Sequence, residues 1–293
     1  MIIKITNELS YNTDSEALLL LDKEIGYVNI SLYDNQAEMY IFIEEEYRFH
    51  KYATLSLNAL IQEYLKKDNI DRIVFYVEGS SRPGLNLMGK LNVYYVYFDE
   101  ETNEHVYAVD KDYLANENKK EKEYFDTYDI NMNKVDFVWE RGKKYPSSLY
   151  HIVVSVLLIN KDQKILVTLR NPSKTHPLCY EFTLGSVLKG ETPRQGAVRE
   201  VKEEVGIDLK ESDLIEFGRA VIEDMHVLAY VAFIDFDESH IILDENEVID
   251  YTLLTFNEFA QIIEHKDFHP LNRKIINKSK KKLNEIISRH FAS

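Results

Sequence analysis

Residues 185–207 are the most constraining segment of the chain, because their order predicts a short helix with defined ends. Thr192 suits the N-cap position, Pro193 suits the first helical position, and Gln195 completes a capping box. Gly206 suits the residue that ends a helix in the left-handed conformation. The segment therefore predicts a capped helix whose length and orientation are set by its own residues.

The two faces of this helix differ in character. Three glutamates stand at positions i, i+3 and i+4 on one face, and they are Glu200, Glu203 and Glu204. Like charges at this spacing repel each other by a few tenths of a kcal/mol per pair, so the cluster indicates a nearby positive charge. Oxygen ligands without histidine or cysteine favour Mg²⁺ or Mn²⁺. The alternative interpretation is a solvent-exposed acidic face. The opposite face is apolar and predicts packing on a core; it consists of Ala197, Val198, Val201 and Val205.

The complete segment resembles the Nudix box. In this chain Gly185 is followed by five residues and Glu191, then by seven residues and the run Arg-Glu-apolar-x-Glu-Glu-x-Gly-apolar that begins at Arg199. The resemblance covers about residues 147–293. It implies an α/β/α sandwich with a mixed sheet. It also implies an enzyme that cleaves a phosphoanhydride bond in a small phosphorylated substrate of the nucleoside-diphosphate type.

The resemblance also implies roles for individual residues. It implies metal binding by Glu200, Glu203, Glu204 and the backbone carbonyl of Leu184. It implies catalytic roles for Glu203, Glu204, Arg199 and a downstream glutamate, for which Glu247 is the first candidate and Glu245 its rival. Structural roles in the box fall to Gly185, Glu191, which pairs with Arg199, and Gly206.

Two further features precede the box: Arg170 at the end of the strand 165–170, and the loop that follows it. Arg170 could clamp a substrate phosphate in a bidentate fork, or it could be a surface charge at a strand end. The loop from residue 171 to 181 resembles the isopentenyl-diphosphate isomerase branch of the same superfamily. The catalytic cysteine of that branch falls near Thr183 or Leu184 and not on Cys179, so the sequence favours a hydrolase.

The N-terminal half predicts a smaller α/β domain over residues 1–112. Its order of a strand at 39–43, a helix and a strand at 73–77 resembles the core of a GNAT acetyltransferase. Arg48 and Ala53 fit that family's pyrophosphate-binding turn, whereas Lys51 stands where the family has a glycine. Two alternatives to a single hydrolase therefore stay open: a bifunctional protein with an acetyl-CoA-dependent acetyltransferase domain, and a nucleotide sensor that does not hydrolyse its ligand.

The charge balance restricts the partners. Acidic residues outnumber basic residues 50 to 35, and the resulting net charge of −15 argues against binding to a nucleic-acid polymer. The start of the chain turns polar at once, and no apolar run is long enough to span a membrane. A single cysteine, which cannot form an intramolecular disulfide, fits a reducing interior. We therefore expect a cytoplasmic protein with a small-molecule partner, and the sequence leaves open whether it forms a homodimer.

The predicted boundary between the two domains is a charged linker at 113–146, before the Nudix domain at 147–293. Its most linker-like part is the charged run 116–123.

Overall fold

The computed structural model describes residues 2–117 and 122–292, and the chain divides into two compact units. Unit 1 comprises Met1–Lys120 with Pro172–Pro177, and unit 2 comprises Glu121–Asn171 with Leu178–Ser293. Each unit combines helices with its own sheet, which confirms the predicted α/β class. In the described part of the chain, no helix combines the length and apolarity that a membrane span requires.

Over its described residues, 2–117 and 172–177, unit 1 consists of an eight-stranded sheet and three α-helices. Its strands are β1 (Ile2–Lys4), β2 (Leu9–Asn12), β3 (Ala17–Leu20), β4 (Lys23–Tyr33), β5 (Gln36–Ile43), β6 (Arg72–Glu78), β7 (Tyr94–Asp99) and β8 (Glu104–Asp110). Its helices are α1 (Tyr52–Leu65), α2 (Arg82–Met88) and α3 (Lys111–Glu117). The strand order is β1-β2-β3-β4-β5-β6-β8-β7, and β5 runs parallel to β6 after the α1 crossover. The predicted strand–helix–strand order is therefore confirmed.

The described part of unit 2 contains a hairpin, a seven-stranded mixed sheet and three α-helices. Its strands are β9 (Tyr124–Tyr128), β10 (Lys134–Glu140), β11 (His151–Asn160), β12 (Ile165–Arg170), β13 (Tyr180–Glu181), β14 (Leu184–Ser186), β15 (Ile215–Ile222), β16 (Met225–Ile234) and β17 (Val248–Leu254). Its helices are α4 (Pro193–Val205), α5 (Phe256–Glu264) and α6 (Pro270–Phe291). The main sheet order is β13-β12-β11-β16-β15, with β14 paired to β11 and β17 paired to β12.

The core of unit 2 has two layers, one on each face of this sheet. Strand β11 is buried along its whole length and alternates between the layers, so that Leu157 and Ile159 face one and Val156 and Leu158 face the other. Helices α5 and α6 pack on the first layer, and α4 packs on the second. This is the α/β/α sandwich that the sequence predicts.

The linker predicted at 113–146 differs from the structure. Helix α3 and the antiparallel hairpin β9–β10 occupy much of it, and Phe125 of β9 is fully buried. The Tyr124 carbonyl in β9 also accepts a hydrogen bond from Lys189 N–H at 2.7 Å. The hairpin escapes sequence analysis because β10 buries little of its surface, so its charged residues mask a strand pattern. Residues 118–121 of the charged run lie outside the described residues.

Strand pairing in unit 2 does not simply follow chain order. Strands β15 and β16 are consecutive and pair antiparallel as a hairpin. Strands β11 and β12 are also consecutive, but they pair only at Ile159 and Ile165, while β12 pairs along its length with β17. The sequence analysis does not identify β17, because its residues are only partly buried and alternate weakly.

A buried histidine makes the stability of unit 2 depend on pH. His151 begins β11 among Phe125, Trp139 and Tyr145, and its Nδ1 atom has no hydrogen-bond partner. Burial lowers its pKa from 6.5 to about 4. Between about pH 6.5 and pH 4, His151 is therefore protonated in the unfolded chain but not in the folded chain. The free energy of unfolding falls as the pH drops through this range.

We expect His151→Leu to remove this dependence. Between about pH 7.5 and about pH 5, the wild type should lose about 2 kcal/mol of unfolding free energy through His151 alone, a loss that the variant escapes. Urea unfolding of both proteins at the two pH values measures the difference, and contributions from other titrating groups cancel. An equal pH dependence in the two proteins would show that His151 is not the group responsible.

Candidate active site

Helix α4 has the ends that the sequence predicts. Thr192 Oγ1 accepts a hydrogen bond from Gln195 N–H at 3.2 Å, and Thr192 N–H donates to Gln195 Oε1 at 2.9 Å. Gly206 adopts a left-handed φ of 74°, and its N–H donates to the Lys202 carbonyl. The capping box and the glycine therefore fix where the helix begins and ends.

The apolar stripe of α4 holds the helix against β11. Ala197, Val201 and Val205 are fully buried in the second core layer, and Val198 packs at its edge. This packing leaves the glutamates on the other side of the helix at different depths. The Glu203 side chain is 54% exposed and Glu200 is 15% exposed, whereas residue Glu204 is 2% exposed. The three carboxylates therefore extend from the surface into the interior.

Arg199 connects the helix to the loop before it. Its Nε donates to Glu191 Oε1 at 2.8 Å, and its Nη1 donates to Glu200 Oε1 at 2.9 Å and to Glu203 Oε2 at 2.7 Å. Its Nη2 donates to Glu191 Oε2 at 3.1 Å and to the Ser186 carbonyl at 2.9 Å. Arg199 therefore binds Glu191 of the preceding loop and also Glu203 one turn further along the helix.

Glu191 is held in its ionised form. Burial alone would raise its pKa, but hydrogen bonds from Arg199 and from Leu188 N–H lower the pKa below its ordinary value. The pair of Arg199 and Glu191 thus ties the loop to α4, as the resemblance implies.

Gly185 lies directly against the Glu200 side chain. Strand β14 pairs with β11 through Gly185 and Val154, and a Cβ atom on Gly185 would overlap the Glu200 carboxyl group. Only a glycine leaves room for Glu200 in this position. The neighbouring Leu184 pairs with Ser155, and metal binding by its carbonyl stays a prediction.

A second group of charges lies at the buried end of the glutamate row. Glu181 in β13 is fully buried and accepts a 2.9 Å hydrogen bond from Arg170 Nη1. Arg170 also interacts electrostatically with Glu204 and Glu247. The sequence analysis missed Glu181, although a charged residue between Tyr180 and Phe182 in an apolar stretch is a usable signal.

The position of Arg170 decides against one of the two predicted alternatives. Its side chain is only 15% exposed and is paired with Glu181, so it is not a surface charge. The reason is strand register: Glu181 lies opposite Thr168 in the antiparallel β12–β13 ladder, so Arg170, two residues further along β12, is its diagonal neighbour on the same face. The surface-charge alternative is therefore wrong, and the phosphate-clamp role of Arg170 stays a prediction.

The downstream loop brings Glu247 towards α4. Asp244 N–H donates to the Glu204 carbonyl at 3.1 Å, and Glu247 N–H donates to the Asp244 carbonyl at 2.8 Å. Glu247 is half-buried and interacts electrostatically with Glu200 and Glu204, whereas Glu245 is exposed. The geometry favours Glu247 over Glu245 as the downstream catalytic glutamate.

The electrostatics of the site indicate a shortage of positive charge. Burial raises the pKa of Glu200 to about 7, and burial with repulsion from Glu181 and Glu200 raises the pKa of Glu204 well above its ordinary value. One oxygen of Glu204 and one of Glu181 are buried without a hydrogen-bond partner. Buried carboxylates of this kind are costly unless a cation compensates them.

These residues fit a hard divalent cation by their chemistry. Carboxylate oxygens are the ligands that Mg²⁺ and Mn²⁺ prefer. Within residues 2–117 and 122–292, no three acidic, histidine or cysteine side chains already converge as a metal cage. Arg199 Nη1 contacts one carboxylate oxygen of Glu200 and one of Glu203.

The turn in unit 1 that resembles the GNAT family has a different character. Arg48 Nε donates to the Ile43 carbonyl at 3.0 Å, so the guanidinium group is hydrogen-bonded to the end of β5. Lys51 adopts a left-handed φ of 64° directly before α1 and is exposed. That conformation suits the glycine that the family has at this place, but the lysine side chain crowds a ligand's approach to the backbone.

We therefore expect unit 1 to bind acetyl-CoA weakly or not at all. Calorimetric titration of the full chain with acetyl-CoA should show no saturable heat at protein concentrations of about 50 μM, where a Kd of 1 μM, about −8.2 kcal/mol, would be obvious. Tight and specific binding would instead support the bifunctional alternative.

Comparison with known proteins gives a consistent family for the second half of the chain. Residues 149–278 match the model of the NUDIX domain. An uncharacterized Nudix hydrolase of Listeria innocua is 35% identical over 136 residues, which cover 44% of this chain and 78% of that protein.

Two solved structures are similar in part. The crystal structure of DR0079 from Deinococcus radiodurans is 18% identical, with a TM-score of 0.44, and the match covers 54% of this chain and 99% of that one. An acetyltransferase of the GNAT family from Bacillus anthracis is 17% identical, with a TM-score of 0.31, over 34% of this chain and 69% of that one. The GNAT resemblance of unit 1 continues to rest on its sequence motif.

Proposed function

The chain belongs to the Nudix hydrolase family, and we propose that it is a metal-dependent enzyme that cleaves a phosphoanhydride bond in a nucleoside-diphosphate-type small molecule. The observation that carries the proposal is the row of glutamates on α4, which runs from the surface to the buried Glu204 and has too little positive charge beside it. Arg199 and Arg170 are already paired with glutamates, and one oxygen of Glu204 has no hydrogen-bond partner.

The same charge balance explains how an acidic protein can accept a phosphorylated substrate. Both guanidinium groups are already paired with glutamates of the protein, so their positive charge is largely offset before a diphosphate binds. Bound Mg²⁺ or Mn²⁺ would supply that positive charge and would lower the pKa of a water molecule. Glu200, Glu203 and Glu204 would hold the cation, with the Leu184 carbonyl as a further ligand.

Each remaining residue has a task that follows from its position. Arg199 fixes Glu200 and Glu203 relative to the loop that carries Glu191, and this would orient their oxygens before a substrate binds. Glu247, whose backbone is joined to the end of α4 through the Asp244 turn, is the residue that we propose accepts a proton from the attacking water. Gly185 keeps the space into which Glu200 extends.

A panel of phosphoanhydrides tests this proposal. The purified full chain should be incubated with Mg²⁺ and nucleoside triphosphates, ADP-ribose, dinucleotides, sugar nucleotides and coenzyme A, with detection of the phosphate-containing products. We expect at least one compound to be hydrolysed with turnover. Saturable binding of a nucleotide without hydrolysis of any compound would instead support the sensor alternative. Small-molecule specificity, the cytoplasmic location and the homodimer question stay predictions.

A further inference from the structure

A buried ion pair lies behind the glutamate row of α4. The Glu181 side chain is fully buried and that of Arg170 is 15% exposed, with 2.9 Å between Oε1 and Nη1. Burying a carboxylate is expensive unless it is paired, and removing one member of such a pair leaves the other uncompensated. A substitution that removes the charge of Glu181 should therefore change which carboxylate pairs with Arg170.

Arg170 has other carboxylates within electrostatic range. It interacts with Glu204 and Glu247 as well as with Glu181, and Glu204 interacts with Glu181 in turn. A guanidinium group carries five N–H donors and can bind a carboxylate through two of them. The second oxygen of Glu204, which has no hydrogen-bond partner, is a ready acceptor. Arg170 and a divalent cation are thus competitors for Glu204.

We propose that Glu181 is a positioning residue of the metal site, which retains Arg170 in an ion pair and so leaves Glu204 free to bind a divalent cation. The inference rests on the proposed function and adds to it a residue outside the box. Glu181 acts through Arg170 and touches neither metal nor substrate. Its charge is the feature that matters, because a neutral side chain keeps at most a hydrogen bond and loses the ionic attraction that holds the arginine.

The backbone around Glu181 is fixed independently of its side chain. Residue 181 pairs with Thr168, whose hydroxyl donates to the Glu181 carbonyl at 3.3 Å. Phe182 N–H donates to the buried Asn272 at 3.2 Å, and Asn272 in turn donates to Ser155. A Glu181→Gln substitution therefore removes the charge while the strand keeps its place.

Calorimetric titration with Mn²⁺ tests the proposal on the full chain without any substrate. Glu181→Gln should weaken Mn²⁺ binding by about 10- to 100-fold, the usual effect of losing a residue that orients a metal ligand. The double variant Glu181→Gln with Arg170→Met removes the released competitor and should recover most of that loss. Such recovery is the non-additivity expected of coupled residues, and thermal unfolding of each variant checks that it is folded.

The outcomes separate this proposal from the function beneath it. If the wild type binds Mn²⁺ and Glu181→Gln binds it equally well, Glu181 does not position the site. If the single variant loses affinity and the double variant fails to recover it, the loss is one of packing, and the proposal is overturned. If the wild type itself binds no Mn²⁺, the proposed function fails and this inference fails with it.

Discussion

Glu204→Gln should lower the turnover of the best substrate by about three orders of magnitude. A positioned metal contributes several kcal/mol to the transition state, and each 1.36 kcal/mol corresponds to a factor of ten in rate. Folding should survive, because glutamine has the same shape and removes a buried charge whose second oxygen lacks a hydrogen-bond partner. Steady-state kinetics with Mg²⁺, together with thermal unfolding of the metal-free protein, measure the two effects separately.

Glu211→Gln is the matched control for this variant. Glu211 is an exposed acidic residue a few positions beyond the box, so the same chemical change there should leave turnover nearly unchanged. If Glu204→Gln retained wild-type turnover, the glutamates of α4 would be an acidic surface only, and the assignment of the site would have to be withdrawn.

Gly185→Ala should lower turnover by about 100-fold while the free energy of unfolding changes by less than about 1 kcal/mol. The new methyl group would overlap the carboxyl end of Glu200, a flexible side chain that can turn away without moving the backbone. Glu200 would then leave the position that Arg199 now maintains. Misplacement of a catalytic group by about 1 Å is sufficient for a loss of this size.

Gly190→Ala should behave in the opposite way. Gly190 has a left-handed φ of 87°, and a Cβ atom there would meet open space. The alanine is strained by about 1–2 kcal/mol, so stability should fall while turnover at a temperature where the protein is folded should not. If Gly185→Ala lost stability and kept its activity, the close approach of Glu200 would have no catalytic meaning.

The parts of the site that the sequence predicts are those that depend on residues close together in the chain. The capping box of Thr192 and Gln195, the stop at Gly206 and the shared face of Glu200, Glu203 and Glu204 all follow from spacing along one helix. The same holds for the strand–helix–strand order of unit 1, whose buried stripe has helical periodicity. Local periodicity carries this information.

The parts that sequence analysis misses depend on strand register. The pairing of Arg170 with Glu181 requires that β12 and β13 lie side by side with a particular alignment, which no local pattern specifies. The long partner of β12 is β17, and its weak alternation hides it. The hairpin β9–β10 is hidden for a related reason, since β9 buries the polar Asp126 and Thr127 while β10 exposes the apolar Phe137 and Val138, so neither strand alternates in the usual way.

The central claim is that hydrolysis depends on a divalent cation held by α4, and metal removal and replacement test it most directly. The best substrate of the panel should be incubated with protein treated with EDTA, before and after Mg²⁺ is added in excess over the chelator. We expect turnover to fall to background with EDTA and to return with Mg²⁺, whereas Glu204→Gln should stay near background in both conditions. A wild-type rate that is unchanged by EDTA would contradict the account.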